Sequence, residues 1–435
     1  MTPDNVLWEF PAGMDSDMGF SYSKPVIVRS YDEQNPWIVI FGNGYDSPDG
    51  RAVLYILNPA GQPGDGLLVK KFDLGGEPDN GLSSPVAVDV NYDKKVDFVY
   101  AGDLHGNLWK FDLSGESSEQ WRVAYGNGTD DQPVFRAQGP GGSGQPITAK
   151  PEVMLHPEKN GLMVLFGTGK FLEDNDITDQ RPQSVYGIWD YGDRHYYPGE
   201  WGDYSRDDDL EYLGAFTRPQ LSNQPDNVTL VRQTSIPYAV SVPGESNETT
   251  EIELRVLSSH EPIWNTKADQ DPRGPKGEPG LPDLADVGTS HAGWHWDLPL
   301  HGERVVNDVL LRDGRLIVIS FTPDSDPCSD GGSSFLMELN SFTGGSAGVA
   351  LFDIDNDGVI DENDTIVTGF DDDGNAEKSS PTGIMMPGNL QMPTILQLNK
   401  KIEIKYLSSS TGALNLIKGK AVRLGMTYWE ELEQQ

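Results

Sequence analysis

Two short stretches of this 435-residue chain space their oxygen-bearing side chains in a way that suits a cation. In DIDNDGVID, Asp353 to Asp361, acids or an amide stand at positions 1, 3, 4, 5 and 9, and Gly358 stands at position 6. Carboxylates held this close repel one another unless a cation lies between them. Calcium takes six to eight oxygen ligands in a flexible cage, whereas magnesium prefers a tight octahedron rich in water. Asp353, Asp355 and Asp357 can each turn an oxygen towards a common centre. Val359 can add its backbone carbonyl, and Asp361 a further oxygen, directly or through water. Asp364 falls at position 12, where an EF-hand carries a bidentate Glu, and Asp is shorter. The flanks GGSAGVALF and TIVTGF are poor helices, so the loop is expected between strands.

The second stretch, DVNYDKKVD, keeps Asp89, Asn91, Asp93 and Asp97 at positions 1, 3, 5 and 9. Here Lys94 replaces the glycine, and Lys95 occupies the position whose backbone carbonyl would ligate. Two ammonium groups and one fewer negative charge predict a weaker calcium site, because ligand charge tunes affinity. The plain alternative at either loop is an acidic turn that binds nothing.

Other chemistry is hard to find. HAGWH places His291 and His295 four apart, but Gly293 interrupts any helix and the Glu of a zinc-protease motif is missing; AGWHWDLP reads instead as a strand-edge segment. FGNG and FGTGK lack the full Gly-rich phosphate pattern and a following helix. No G-x-S-x-G elbow occurs, and no RGD tripeptide occurs. These absences predict a binding protein rather than an enzyme.

The elements that must hold the loops read as strands. Gly numbers 49 and Pro 31, many in turn-like clusters between short apolar runs. PWIVIFGNG is followed by AVLYILNPAG, KVDFVYAGD by GNLWKFDLSG, GLMVLFGTG by SVYGIWDYGD, and GRLIVISFTPD by SFLMELNSFTGG. Each pair is a buried apolar strand, a polar turn and an alternating aromatic-rich strand. Repeated antiparallel units of this kind predict an all-β fold, a β-propeller whose radial closure leaves few exposed edges; a two-sheet sandwich is the alternative. Residues 191–224 read as a long insertion, RGPKGEPGLPD as an extended loop, and the tail ending in YWEELEQQ as a short helix.

Lys plus Arg is 32 and Asp plus Glu is 68, so the formal net charge is 32 − 68 = −36. Such a surface repels nucleic acid and anionic lipid. The single cysteine, Cys328, forms no internal disulfide. No run of 18 apolar residues spans a membrane, and MTPDNVLWEFPAG is not a secretory signal.

VIFGNGYDSPDGRAVLYILNP, NGLSSPVAVDVNYDKKVDFVYAGDLHGNLWKFDLSG, VLFGTGKFLE, GWHWDLPLHGERVVND and SFTPDSDPCSDGGSSFLMELNSFTGG follow one another through most of the chain. They resemble the C-terminal propeller domain of the PilC/PilY family of type IV pilus proteins. The resemblance implies one modified seven-bladed, quinoprotein-like propeller over residues 1–435, with the chain a C-terminal fragment of a longer protein. It implies a place at the cell surface, at the pilus tip and outer membrane, with type IV minor pilins and a host or abiotic surface receptor as partners. It implies roles in pilus biogenesis, adhesion, twitching motility and the balance of extension and retraction. It also implies a regulatory calcium site at Asp353, Asp355, Asp357, Val359 and Asp361. A second, nine-residue calcium loop would lie at Asp89, Asn91, Asp93, Lys95 and Asp97. The rival from another class is a quinone-dependent dehydrogenase on a similar propeller; the adjacent-cysteine disulfide common in such enzymes is excluded by the lone Cys328.

Overall fold

A computed structural model describes residues 8–421 apart from 11, 76–77, 126–130, 159–160, 191–227, 244–248, 265–289, 325, 327–330 and 371–374. The expected insertion at 191–224, the RGPKGEPGLPD segment, Cys328 and the YWEELEQQ tail lie outside the described residues. Among those described, the strands form six sheets and the only helices are two short 3-10 turns, Ala12–Met14 and Asp174–Thr178. No helix there is long and apolar enough to cross a membrane.

The first sheet is a four-stranded antiparallel meander, Val26–Arg29, Trp37–Gly42, Val53–Leu57 and Leu68–Asp73. This is the form of a propeller blade. All four strand pairs expected from the sequence are antiparallel neighbours. Trp37–Gly42 lies on Val53–Leu57, and Phe98–Gly102 on Asn107–Asp112. Leu162–Gly167 lies on Ser184–Asp190, and Arg315–Pro323 on Gly332–Asn340. The inner strands are buried because they are apolar on both faces; VLYIL, Val53–Leu57, is buried throughout.

The turn in YAGDLHGNLWKFDL is fastened by one buried acid. Asp103 Oδ1 accepts the His105 and Asn107 amides, both at 2.9 Å. Its Oδ2 accepts from Asn80 Nδ2 at 3.1 Å, Asn107 Nδ2 at 2.8 Å and Trp109 Nε1 at 2.9 Å.

AGWHWDLP is not an edge segment. Strand Ser290–Asp297 pairs antiparallel with Ser184–Asp190 on one side and parallel with Val228–Gln233 on the other. Its Trp294 is fully buried, and Gly187 makes room for it: a Cβ there would lie 2.3 Å from Trp294 Cε2. His291 does structural work, its Nδ1 accepting the Ile263 amide at 2.8 Å.

Three large apolar cores hold the sheets together. One packs Ile38, Ile40, Leu54 and Ile56 of the first sheet against Val99, Ala101, Trp109 and Phe111 of the second. The largest centres on Phe166, Tyr186, Trp189, Trp294 and Trp296. The third joins Ile317, Ile319 and Leu336 to Leu351, Phe352, Ile354, Ile366 and Leu407, and so anchors both ends of the 353–364 loop.

The last sheet, Thr394–Gln397, Ile402–Ser408 and Leu414–Lys420, is patterned inside out. Ile402, Ile404 and Tyr406 alternate with fully buried Glu403, Lys405 and Leu407. Leu396, Leu414 and Leu416 are more than half exposed. The buried charges are compensated across the sheet boundary. Lys405 Nζ lies 2.7 Å from Glu338 Oε1 and 2.9 Å from Glu403 Oε1, while Arg315 Nη1 lies 2.8 Å from Glu338 and Arg312 Nη2 3.1 Å from Glu403. Breaking a buried pair leaves an uncompensated charge and costs about 3–5 kcal/mol. Lys405→Met is therefore expected to lower unfolding free energy by about that amount in a denaturant titration; a loss below about 1 kcal/mol, the size of an exposed pair, would contradict this.

Candidate metal centre

The 353–364 loop begins as a strand edge. Asp353 N donates to Lys418 O at 3.2 Å, Lys420 N donates to Leu351 O at 2.9 Å, and Phe352 bridges Gly419. From that edge the chain turns on Asn356 and Gly358, with φ of 60° and 86°. Glycine at position 6 is the residue that takes such a left-handed angle at least cost. Side chains then fold back on their own amides. Asp353 Oδ2 accepts Gly358 N at 3.1 Å, Asp355 Oδ1 accepts Asp357 N at 3.1 Å, and Asp357 Oδ1 accepts Val359 N at 2.7 Å.

Asp364 closes the loop. Its Oδ1 accepts Ile354 N at 2.7 Å and Asp355 N at 3.5 Å, and its Oδ2 accepts Asp361 N at 2.9 Å. Short as it is, the position-12 acid is brought home, because Ile354 and Ile366 are both pinned in the core on either side of it. Asp353, Asp355 and Asp364 offer carboxylate oxygens within 4.8 Å of one another. Burial pushes the Asp364 carboxyl up, the amides of Asp361, Ile354 and Asp355 pull it down, and the Asp355 charge pushes it up again; the net direction is up.

One atom in this cluster lacks what its surroundings should supply. The Asp353 side chain is 2% exposed, and its Oδ1 is buried with no hydrogen-bond partner. A buried polar atom left unpaired costs roughly 1–3 kcal/mol, more for a charge. The donor set is oxygen only, which suits a hard cation such as calcium. Asp357, Val359 and Asp361 lie on the exposed side of the loop. The Asp361 Oδ1 accepts Asn363 N at 2.8 Å, and Val359 is 52% exposed. Spacing alone points to these three and leaves the reach of the shorter Asp364 open; a backbone that folds back over the acid is not visible in residue spacing.

The 89–97 loop repeats the same wiring. Asp89 Oδ2 accepts Lys94 N at 2.7 Å, Asn91 Oδ1 accepts Asp93 N at 2.8 Å, and Asp93 Oδ1 accepts Lys95 N at 2.9 Å. Tyr92 and Lys94 stand at φ of 62° and 70°, matching Asn356 and Gly358. Lys94 thus adopts the turn angle that glycine supplies in the first loop, at a steric cost. Asp97 closes this shorter loop as Asp364 closes the other, with Oδ2 accepting Val90 N at 2.8 Å and Oδ1 accepting Tyr31 Oη at 3.0 Å. Asp89 Oδ1, like Asp353 Oδ1, is buried without a partner. Burial pushes Asp97 up, the Val90 amide and Tyr31 hydroxyl pull it down, and the charges of Asp89 and Asp93 push it up; it stays raised. The Lys95 ammonium lies over the Tyr31 ring, 4.6 Å from its centroid.

Comparison with known proteins bears on the chain as a whole. A family model described as the PilY1 beta-propeller domain matches residues 10–197. A type IV pilus biogenesis factor PilY1 of Pseudomonas aeruginosa is 30% identical over 406 residues, covering 86% of this chain and 31% of that protein. A PilY1 homologue of Xylella fastidiosa is 33% identical over 361 residues, covering 79% of this chain and 20% of that protein. The chain therefore spans a third or less of the length of these relatives. The crystal structure of the Pseudomonas aeruginosa PilY1 C-terminal domain is similar with a TM-score of 0.67 and 25% identity, over 94% of this chain and 75% of that one. The all-β fold is that of a β-propeller, with no seven-blade count read from its six described sheets, and the family-model match, the curated relatives and the solved domain together support a PilY1 C-terminal domain.

Proposed function

We propose that this chain is a calcium-binding domain of a type IV pilus biogenesis factor, acting at the cell surface by binding rather than catalysis. The pilus role is supported by the relatives, which are named type IV pilus biogenesis factors. The observation that carries the calcium reading is Asp353 Oδ1, buried and unpartnered, on a carboxylate that has an oxygen within 4.8 Å of carboxylate oxygens on Asp355 and Asp364. Calcium bound there would supply positive charge beyond the single ammonium of Lys418. The chain's own residues do the rest. Asp364 ties positions 2, 3 and 9 of the loop together, and Leu351, Phe352, Ile354 and Ile366 transmit the loop's order to the third core. The 89–97 loop is proposed as a second, weaker site of the same design. In the whole protein we place the domain in the pilus tip complex, contacting minor pilins and a surface receptor, with calcium biasing extension against retraction. Such a switch needs different calcium affinities in two states.

Three outcomes test this. Calorimetry on metal-stripped protein should show calcium binding that Asp353→Asn or Asp364→Asn removes from the first loop; unchanged affinity in both variants contradicts the site. At calcium near 100 times the dissociation constant, binding should add about 2.7 kcal/mol to folding.

The pH dependence has a defined sign. Asp364 and Asp97 are raised, so the metal-free fold is favoured below the usual carboxylate range and loses that contribution as pH rises through the raised values. Calcium needs the ionised forms, so its shift of melting temperature should grow from about pH 4 to pH 7. A flat profile contradicts the involvement of these acids.

In the full-length protein, Asp353→Asn should alter surface attachment or twitching while the folded domain persists. Wild-type behaviour of a variant shown to bind no calcium would leave the metal with a structural role only.

A further inference from the structure

We propose that Lys418 is a built-in competitor of calcium at the 353–364 loop, an ammonium that partly neutralises Asp353 in the metal-free protein and thereby sets the affinity of the site. The inference rests on the calcium reading above and adds what regulates it.

Lys418 belongs to strand Leu414–Lys420, not to the loop, and its carbonyl is bonded to the Asp353 amide at 3.2 Å. That backbone bond fixes the side chain beside the loop. Its Nζ lies 3.2 Å from Asp353 Oδ2, and a Cβ on Gly358 would lie 3.9 Å from the same atom. The ammonium therefore lies beside both the first acid of the loop and its position-6 turn. The two partners are unequally buried: the Lys418 side chain is 41% exposed and that of Asp353 is 2% exposed. Lysine can leave for water with little loss, because a half-exposed ion pair is weak. The carboxylate cannot leave. It keeps one oxygen on Gly358 N and Lys418 Nζ, and the other buried without a donor. A single positive charge on a flexible stem meets one acid of a three-acid cluster, so the compensation is partial.

Two consequences of opposite sign follow. Without metal, Lys418 stabilises the loop. With metal, its charge opposes binding, since the net charge around a calcium site tunes affinity over decades. A lysine that merely packed against the strand would, on removal, weaken both the fold and the binding. The 89–97 loop serves as an internal control, because Lys95 is engaged over Tyr31 and Lys418 pairs with Asp353 of the other loop.

The test is calorimetric titration of calcium into the metal-stripped full chain, wild type and Lys418→Met, with Lys418→Gln as a second variant should the first fold poorly. Asp353→Asn identifies the heat that belongs to this loop. The expected result is about tenfold tighter binding at that loop in the lysine variants, a lower melting temperature without metal, and no change in any heat from the 89–97 loop. Wild-type or weaker affinity in the lysine variants, with wild-type binding intact and lost in Asp353→Asn, overturns the competitor and leaves the calcium reading standing. No calcium heat and no melting shift in the wild-type chain overturns both.

Discussion

A carboxylate with one oxygen enclosed by protein and given no donor is only partly compensated, and Asp353 is one: its Oδ1 has no partner while its Oδ2 meets Gly358 N and Lys418 Nζ. The rest of the 353–364 loop is arranged around that constraint. Amides of the loop are spent on neighbouring acids, Gly358 and Asn356 take left-handed angles to bring the acids inward, and Asp364 draws three amides to itself. Every one of these bonds holds a carboxylate near other carboxylates. Such an arrangement is stable only if something positive shares the space, and Lys418 is a partial answer from the neighbouring strand.

The scaffold explains why the loop can tolerate this. Its first residues extend the last sheet through Leu351, Phe352 and Asp353, and its apolar residues are buried in the core shared with strands Arg315–Pro323 and Gly332–Asn340. That same sheet buries Glu403 and Lys405 in an ion cluster with Glu338 and Arg315. Charge is thus a recurrent packing element at this end of the domain, balanced in one place by paired side chains and in the other, in part, by Lys418. In a chain whose net charge is −36, local placement of lysine and arginine matters more than their number.

Much of this was readable from residue types. Alternating acids with Gly at position 6 announce a tight acidic turn whose side chains accept their own amides, because each residue's role there is set by local geometry. The four strand pairs were equally legible, since hydrophobic runs and polar turns are local too. What escaped was non-local. Asp364 is shorter than the Glu an EF-hand carries there, and only the folded backbone returns to it; Lys94, which replaces the glycine of the first loop, adopts φ of 70° in that position. Ser290–Asp297 was read as an edge because nothing in its sequence announces the distant parallel partner Val228–Gln233. Alternation in Ile402–Ser408 does not say which face is inward; only the facing Glu338 and Arg315 decide that.

The most direct test of the central claim is a crystal structure of this chain grown in calcium, with anomalous data to identify the ion. The account predicts a single ion at about 2.3–2.6 Å from oxygens of Asp353, Asp355 and Asp364, with the Asp353 oxygen that now lacks a donor among its ligands. Asp353 still held by Lys418, with only water or nothing beside Asp355 and Asp364 at saturating calcium, would contradict it.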